Sequence, residues 1–404
     1  MCELTTTTSA HPSSASAASS ALRRSLAGIG FALLFGGAVF AQEPLAQEVR
    51  RDSIAAETAI EPAIEPAPET QPADDDAERV YSLGPLEYRT ARGVRFGESG
   101  LTIGGFTTFE IEDTDGEPAS IALDGLNFMA LYEPVESLRF FAELEIGELL
   151  SWEAGSSGVE SSPRANFERL YVEYSASDAL NFRAGKFLTP FGHWNLVPAE
   201  PFVWTATQPA ILEIGLDEHQ TGVALFGSFY PEKRVINYWV YGQVIDAFDV
   251  ESDEIPAERT VGGRIEYGEA RGAWSFGGSV LGSELGGAWT TTAGIDAKWR
   301  ATDRLELSSE LLVSRGDIPG RDLWGAFIEA NYPLDRLSPK LAKLYLVGRV
   351  EHFDFATERA TQIFDFGLTW LPAPWLNLKA GYRAPTHSIP EVRAGLNVSI
   401  SVLF

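Results

Sequence analysis

Residues 392–404 read VRAGLNVSISVLF, and in this stretch apolar residues alternate with polar, charged or small ones. Successive side chains of a β-strand point to opposite faces, so a period of two means that the two faces meet different environments. One face would carry Val392, Ala394, Leu396, Val398, Ile400, Val402 and Phe404. Soluble antiparallel sheets alternate in the same way. The stretch therefore predicts a strand and leaves its surroundings open.

The same period recurs along the chain from Gly100 onward. Sixteen segments show it: 101–111, 121–132, 138–147, 166–175, 180–188, 219–229, 235–245, 260–267, 273–283, 290–300, 305–315, 323–332, 343–353, 362–371, 376–383 and 392–404. Single-chain bacterial barrels have an even number of strands, and sixteen fits that rule. Because segment ends are uncertain by a few residues, 14 and 18 strands stay open.

The connections between these segments alternate between short and long. Short ones such as 231–234 and 268–272 are separated by longer ones, among them 112–120, 148–165, 189–218 and 284–289. The stretch 333–342 is the exception, since it should be a turn and is as long as a loop. Short turns at one end and longer loops at the other are typical of outer-membrane barrels.

An export segment precedes the strands. Arg23 and Arg24 stand before an apolar run over 26–40, and Val39 and Ala41 supply the small residues that a signal peptidase needs. The run of about 15 residues is shorter than the roughly 20 that a spanning helix needs, which favours a signal peptide cleaved after Ala41 over an anchor. Residues 1–22 are rich in Ser, Thr and Ala and fit an over-extended N-terminus from an upstream start codon.

The predicted domains follow from these features: a signal peptide at 1–41, a linker at 42–94 and a barrel at 95–404. The linker contains EPAIEPAP (61–68) and three aspartates (74–76). Proline and like charge keep such a stretch extended and solvated, so we predict a disordered periplasmic linker. The fold class is all-β: a transmembrane antiparallel β-barrel of about 16 strands, with a long loop folded into its lumen.

Charge and composition exclude several functions. The net charge of −26 argues against nucleic-acid binding, which needs a basic face. Cys2 is the single cysteine and precedes the export segment, so no disulfide framework is expected. The histidines at 193, 219, 352 and 387 lack the spacing of a zinc site, and no hydrolase or phosphate-loop motif is present. We expect no enzyme activity, no cofactor and no metal.

Two stretches carry a resemblance to a known family: GKFLTPFGHWN (185–195) and DEHQTGVAL (217–225). They resemble the porins grouped with the phosphate-selective porins O and P, over about residues 95–404. The resemblance implies an outer-membrane channel, a homotrimer and a preference for anions such as phosphate. A final strand ending in Phe resembles the signal recognised by the outer-membrane barrel assembly machinery, which makes Phe404 a candidate assembly signal.

The longest connection, 189–218, is predicted to fold inward and narrow the pore. It holds four prolines and large aromatic residues that include Trp194, Phe202 and Trp204, which need somewhere to be buried. The alternative is an outer loop packed on the rim or on a neighbouring subunit. The candidate constriction residues are Lys186, Pro190, His193, Trp194, Asn195 and Trp204.

In each predicted strand, the residues that alternate with the apolar ones are assigned to the inner face; this assignment by parity gives ten basic and ten acidic residues there. The candidate pore-lining residues among them are Arg139, Glu143, Glu145, Arg169, Glu173, Arg183, Arg264, Glu266, Lys298, Arg349, Lys379, Arg383 and Arg393. Anion-selective pores use convergent Arg and Lys, whereas this lining is mixed. Two interpretations stay open: opposite charges that pair and stiffen the wall, or a charge-lined diffusion pathway.

The function expected from these observations is passive diffusion of small solutes or ions through a water-filled channel, with the lipid bilayer as its surroundings. The alternative is a non-conducting barrel that acts as a structural anchor or adhesin, which the Pro/Glu-rich linker keeps open.

Overall fold

The computed structural model describes residues 80–245, 257–317, 322–355, 360–389 and 392–404. The predicted signal peptide at 1–41 lies outside the described residues, as does the linker from 42 to 79.

The described residues form nineteen strands. In chain order, β1 to β19 are Val80–Leu83, Leu86–Arg89, Gly93–Phe96, Leu101–Thr114, Ser120–Val135, Leu138–Glu153, Arg164–Ser177, Leu180–Leu188, His219–Phe229, Arg234–Gln243, Arg259–Glu269, Trp274–Leu285, Ala288–Arg300, Glu306–Gly316, Leu323–Pro333, Leu344–Phe355, Thr361–Ala373, Leu376–Pro385 and Gly395–Leu403. One short helix, α1, spans Ala210–Gly215, and 3-10 turns occupy Gly97–Ser99, Trp194–Leu196, Glu200–Phe202 and Pro339–Leu341. No helix in the described part of the chain is long and apolar enough to cross a membrane.

The sixteen strands from β4 to β19 form a closed antiparallel barrel. Each pairs with the next along the chain, and β19 pairs with β4 from Gly395↔Thr114 to Leu403↔Phe106. Closure leaves no open edge, which is the condition for crossing a bilayer with strands. The predicted barrel of sixteen strands is confirmed.

Each predicted segment falls on one barrel strand, and the differences lie at the ends. The long connection predicted at 284–289 is wrong: β12 and β13 are joined by Gly286 and Gly287 alone, both with positive φ. This is the backbone of a two-residue hairpin turn, which glycine adopts without steric cost. The connection predicted at 112–120 shrinks to 115–119, because β4 extends to Thr114.

The final strand is shorter than predicted. It begins at Gly395, whereas Val392 forms an isolated bridge with Ile389 and is fully buried. The phase is as predicted from Leu396 onward, since Asn397, Ser399 and Ser401 are buried and their neighbours are not.

The two faces of the wall differ as the alternation predicts. Large apolar side chains are exposed on the outside of most barrel strands, for example Phe140, Ile265, Ile295, Ile328 and Phe366. Charged and polar side chains are buried on the inside. An apolar belt around a polar interior is the pattern of a transmembrane barrel.

The interior is filled by the connection between β8 and β9, residues 189–218, called here the lumen loop. Phe191, Trp194 and the first residues of α1 belong to one buried apolar cluster with inward residues of the wall, including Leu312 and Phe327. The prediction that this loop folds into the lumen is confirmed.

Strands β1 to β3 form a small antiparallel sheet ahead of the barrel. β3 pairs with β4 at Val94↔Ile103 and Arg95↔Thr102, on the edge of β4 that pairs with β19 further along. The prediction of a linker over 42–94 did not anticipate these strands, because four-residue strands fall below the length at which a period of two can be recognised.

Candidate functional site

The two ends of the lumen loop are tied together at the barrel wall. Thr189 N donates to Glu218 O at 2.7 Å, and the Thr189 hydroxyl donates to Asp217 O at 2.7 Å. The buried amide of Asn195 donates to Thr189 O and Glu218 O at 2.9 and 3.2 Å. A loop closed at its neck in this way enters the barrel as one folded unit.

Gly185 sets the direction in which the chain leaves β8. Its φ of +135° is a conformation that other residues rarely adopt. Directly after it, Lys186 and Phe187 are both buried although they are sequence neighbours. The backbone therefore departs from strict alternation where the strand ends, and Lys186 lies among the barrel's interior groups.

Glu310 of β14 holds the first turn of the lumen loop. Its Oε1 accepts hydrogen bonds from His193 N at 2.9 Å and Trp194 N at 2.7 Å. A Cβ at Gly192, whose φ is +62°, would overlap the Glu310 carboxylate. Burial acts to lower the pKa of His193, but the nearby carboxylates of Glu310 and Asp296 outweigh it and raise that pKa. The two acids therefore stabilise the imidazolium form relative to that of a free histidine.

Helix α1 packs on the inner wall of β14 to β16. Ala210 N donates to Glu351 Oε2 at 2.9 Å, so a carboxylate of β16 satisfies one free N–H at the helix start. Ile211 and Leu212 are almost fully buried. Ile211 lies against Gly325 of β15, where a side chain would crowd it.

Arg349 of β16 joins the wall to the centre of the lumen loop. Its guanidinium lies 2.7 Å from Glu351, 3.1 Å from Asp365 and 3.4 Å from Glu329. It also donates to Thr205 Oγ1 at 2.8 Å, to Thr207 Oγ1 at 3.1 Å and to Gln208 O at 3.1 Å. The Arg349 side chain is completely buried, and its N–H groups bind the lumen loop and three carboxylates.

Lys379 and Arg383 of β18 bind the same loop through its main chain. Lys379 Nζ donates to the carbonyls of Glu200 and Thr205, the latter at 3.3 Å. Arg383 donates to Gln208 O at 2.6 Å and to Asp365 at 3.0 Å. These basic residues face inward as predicted, but the loop covers them.

The other predicted inner charges are mostly arranged in pairs. Their partners are Glu133 and Glu173 for Arg139, Glu173 for Arg183, Glu143 for Arg169, Asp296 and Glu266 for Arg264, and Glu306 for Lys298. Arg183 also lies over the Tyr171 ring, 4.3 Å from its centroid, and such contacts add cation–π attraction. The interpretation of opposite charges that pair and stiffen the wall fits this arrangement.

Arg393 departs from its predicted place. It precedes β19, and its guanidinium lies 2.6 Å from the half-exposed carboxylate of Glu117 in the connection between β4 and β5. Parity could not place it, because the chain is not a strand at this point.

A cavity of about 260 Å³ remains between the lumen loop and the opposite wall; it is called here the passage. Its lining consists of Phe106, Thr108, Gly125, Asn127, Glu143, Glu145, Glu168, Arg169, Leu188, Pro198, Ala199, Glu200, Glu218 and His219. The wall side belongs to β4 to β8 and the start of β9.

None of the six predicted constriction residues lines this passage. Pro190, Trp194 and Asn195 are buried within the loop, and Trp204 lies against Tyr345 with ring centroids 4.8 Å apart. The side chains that face the passage from the loop are those of Pro198, Ala199, Glu200 and Glu218.

Sequence reasoning missed three acidic lining residues. Glu168 sits at a bulge in β7, where Glu143 pairs with Arg169 but Leu144 pairs with Phe167, so parity fails there. Its Oε2 lies 3.1 Å from His219 Nε2. Glu200 and Glu218 belong to irregular backbone, where no period indicates side-chain direction. Within the described residues, no group of three or more His, Cys, Asp and Glu is placed to hold a metal ion.

The chain was compared with family models, with curated proteins and with solved structures. No family model matches the chain. A protein of Aquifex aeolicus strain VF5, described as uncharacterized, is 24% identical over 341 residues, covering 70% of this chain and 76% of its own length.

Solved structures of outer-membrane proteins share the architecture. OmpTdeltaL8, a loop-deletion mutant of OmpT from Vibrio cholerae, matches 75% of this chain and 99% of its own, with 10% identity and a TM-score of 0.53. The fold is that of a bacterial outer-membrane barrel. Salmonella typhi OmpF in complex with daunomycin covers 76% and 98% of the two chains, with 11% identity and a TM-score of 0.53. At these identities the likeness concerns the fold.

Proposed function

We propose that the protein is an outer-membrane channel for the passive diffusion of small hydrophilic solutes or ions. One observation carries the proposal: a polar passage of about 260 Å³ lies between an inward-folded loop and the wall of a closed barrel whose outside is apolar. Such a barrel places its exterior in lipid and leaves water and small solutes inside. The loop reduces the cross-section and so sets a size limit.

The wider biological setting is part of the same proposal. Export by a cleaved signal peptide, insertion by the outer-membrane assembly machinery with Phe404 as a signal, and a homotrimer fit the predicted leader and the resemblance to the phosphate-selective porins O and P. That resemblance also implies anions such as phosphate as cargo, an expectation that the charges of the passage oppose.

The alternative function is a non-conducting barrel that anchors or adheres. One observation favours this alternative. The lumen loop packs buried apolar residues against the inner wall, where charged residues are paired, and this packing leaves less open space for a solute. The passage favours a channel, because a purely structural barrel has no need of a polar cavity lined by glutamates.

Planar-bilayer recording distinguishes the two functions. The full chain is expressed in a Gram-negative host, purified from the outer membrane and checked for a folded barrel by heat-modifiable migration on gels. We expect discrete conductance steps that scale with salt concentration. A folded barrel that inserts into the bilayer and passes no current would overturn the channel and support the anchor.

A further inference from the structure

We infer that the passage selects for cations over anions. This rests on the proposed channel function and specifies its cargo class. The selectivity belongs to a stretch of the diffusion path that any small hydrated cation would cross. It does not require a binding site for a particular ion.

The lumen loop covers several basic residues of the wall. Arg349, Lys379 and Arg383 stand on β16 and β18, and each donates hydrogen bonds to the lumen loop. Arg264 of β11 binds Asp296 and Glu266 with a side chain that is fully buried. The loop therefore covers these basic residues. On the open side, Arg139 and Arg183 are each paired with Glu173 of the wall.

The lining of the passage carries mostly acidic side chains. Five carboxylates line the passage, those of Glu143, Glu145, Glu168, Glu200 and Glu218, against one guanidinium, that of Arg169. Arg169 lies 2.5 Å from Glu143, so those two charges largely cancel.

Two buried lysines lie near the lining and belong in the count. Lys186 is buried on β8, two residues before the lining residue Leu188, and Lys379 binds the Glu200 carbonyl. Adding both leaves five carboxylates against three cations, a net charge of −2 around the passage.

The charged lining lies close to any ion inside the passage. A space of about 260 Å³ keeps every ion within a few ångströms of its walls. At about 0.1 M salt the Debye length is about 10 Å, so the charges of the lining are not screened across the passage. A negative field of this kind raises the local concentration of cations and lowers that of anions.

An anion path of the kind implied by the family resemblance would need the opposite arrangement. Selective anion pores present rings of Arg or Lys to the solute. Here Arg349 and Arg383 donate to loop groups and carboxylates. They hold the constriction in place, and the loop separates them from the passage.

The test is the reversal potential of single channels in a KCl gradient. At about 0.1 M salt the K⁺/Cl⁻ permeability ratio of the wild type should exceed about fivefold, because one unit charge about 4 Å away in water raises the concentration of a cation by about that factor and lowers that of an anion. At 1 M salt the ratio should fall, because the Debye length shortens to about 3 Å.

Two matched triple variants locate the effect. Glu145→Gln, Glu200→Gln and Glu218→Gln together leave two carboxylates against three cations around the passage, so the ratio should drop to 1 or below. Glu98→Gln, Glu136→Gln and Glu269→Gln remove the same charge from two connections and from the last residue of β11, outside the lining of the passage, and should leave the ratio unchanged.

The outcomes separate the inference from the proposed function. Channels that conduct but favour Cl⁻, or show no preference, would overturn the cation selectivity and keep the channel. Cation selectivity that survives the passage variant, or is lost equally in the control variant, would overturn the assignment to this passage. Folded protein that passes no current would instead overturn the channel itself.

Discussion

At the scale of single residues, Arg349 shows how one side chain can fix the position of a loop. Three carboxylates, two hydroxyls and one carbonyl surround it at the centre of the barrel. A charge taken out of water in this way is stable only when its partners are complete. Removing the guanidinium would leave Glu329, Glu351 and Asp365 buried without it.

The substitution Arg349→Met should therefore destabilise the folded barrel strongly. Breaking a buried ion pair from one side costs about 3–5 kcal/mol. The matched control is Arg393→Met, because Arg393 pairs with Glu117 where both side chains are partly exposed, and such pairs contribute about 1 kcal/mol or less. Urea unfolding in lipid vesicles, followed by tryptophan fluorescence, measures both. Equal effects of the two substitutions would contradict the role given to Arg349.

At the scale of elements, different parts of the lumen loop have different roles. Residues 189–195 and α1 bind the wall through Glu310 and Glu351. The middle of the loop carries the carbonyls held by Lys379 and Arg383, and it presents Glu200 to the passage. Removing the middle part should open the channel while the anchored parts stay in place.

Excision of residues 196–208, with a bridge of Gly and Ser, should raise single-channel conductance. It should also lower the K⁺/Cl⁻ ratio, because it removes Glu200 and uncovers Lys379 and Arg383. The control is the same operation on residues 154–163, an exposed connection between β6 and β7, which should change neither quantity. Unchanged conductance in a folded 196–208 deletion would mean that this segment does not restrict flow.

The elements also show what the sequence can predict and what it cannot. Alternation locates all sixteen barrel strands, because lipid outside and polar groups inside impose the period on each strand directly. Strand ends are harder to predict, since β4 and β13 continue as far as their neighbours pair with them, whatever their own pattern.

The candidate site is predictable only in part. Prolines and aromatic residues in 189–218 correctly indicate a loop that is buried inside the barrel. The alternation of side chains correctly predicts that Arg349 and Lys379 face inward. It cannot show that the loop covers them, because irregular backbone has no period from which its path could be predicted. Glu168 is missed for a related reason, since a bulge in β7 shifts the register beside it.

At the scale of the whole molecule, the barrel depends on the seam between β4 and β19. Phe404 continues the ladder of β19: its N–H donates to Gly105 O at 2.9 Å and its carbonyl accepts from Gly105 N at 3.0 Å. Its ring meets Phe128 edge-on, with centroids 5.9 Å apart. Phe404 thus belongs both to the closure of the barrel and to its apolar outer face.

The substitution Phe404→Asp should reduce the amount of closed barrel in the outer membrane. The reason is specific to the seam, because the charge would replace the ring that packs on Phe128 beside the last hydrogen bonds between β4 and β19. Simple exposure of a charge to lipid costs only about 0–1 kcal/mol near the interface, too little to prevent assembly.

Phe140→Asp is the matched control for this substitution. Phe140 is another outward-facing aromatic residue, three positions into β6 from its short turn and away from the seam. Outer-membrane fractions of both variants are compared by heat-modifiable migration. If Phe404 closes the barrel, its variant accumulates unfolded while the Phe140 variant assembles. Equal assembly of the two would reduce Phe404 to an ordinary member of the apolar belt, and the ladder from Gly395 to Leu403 would then suffice to close the barrel.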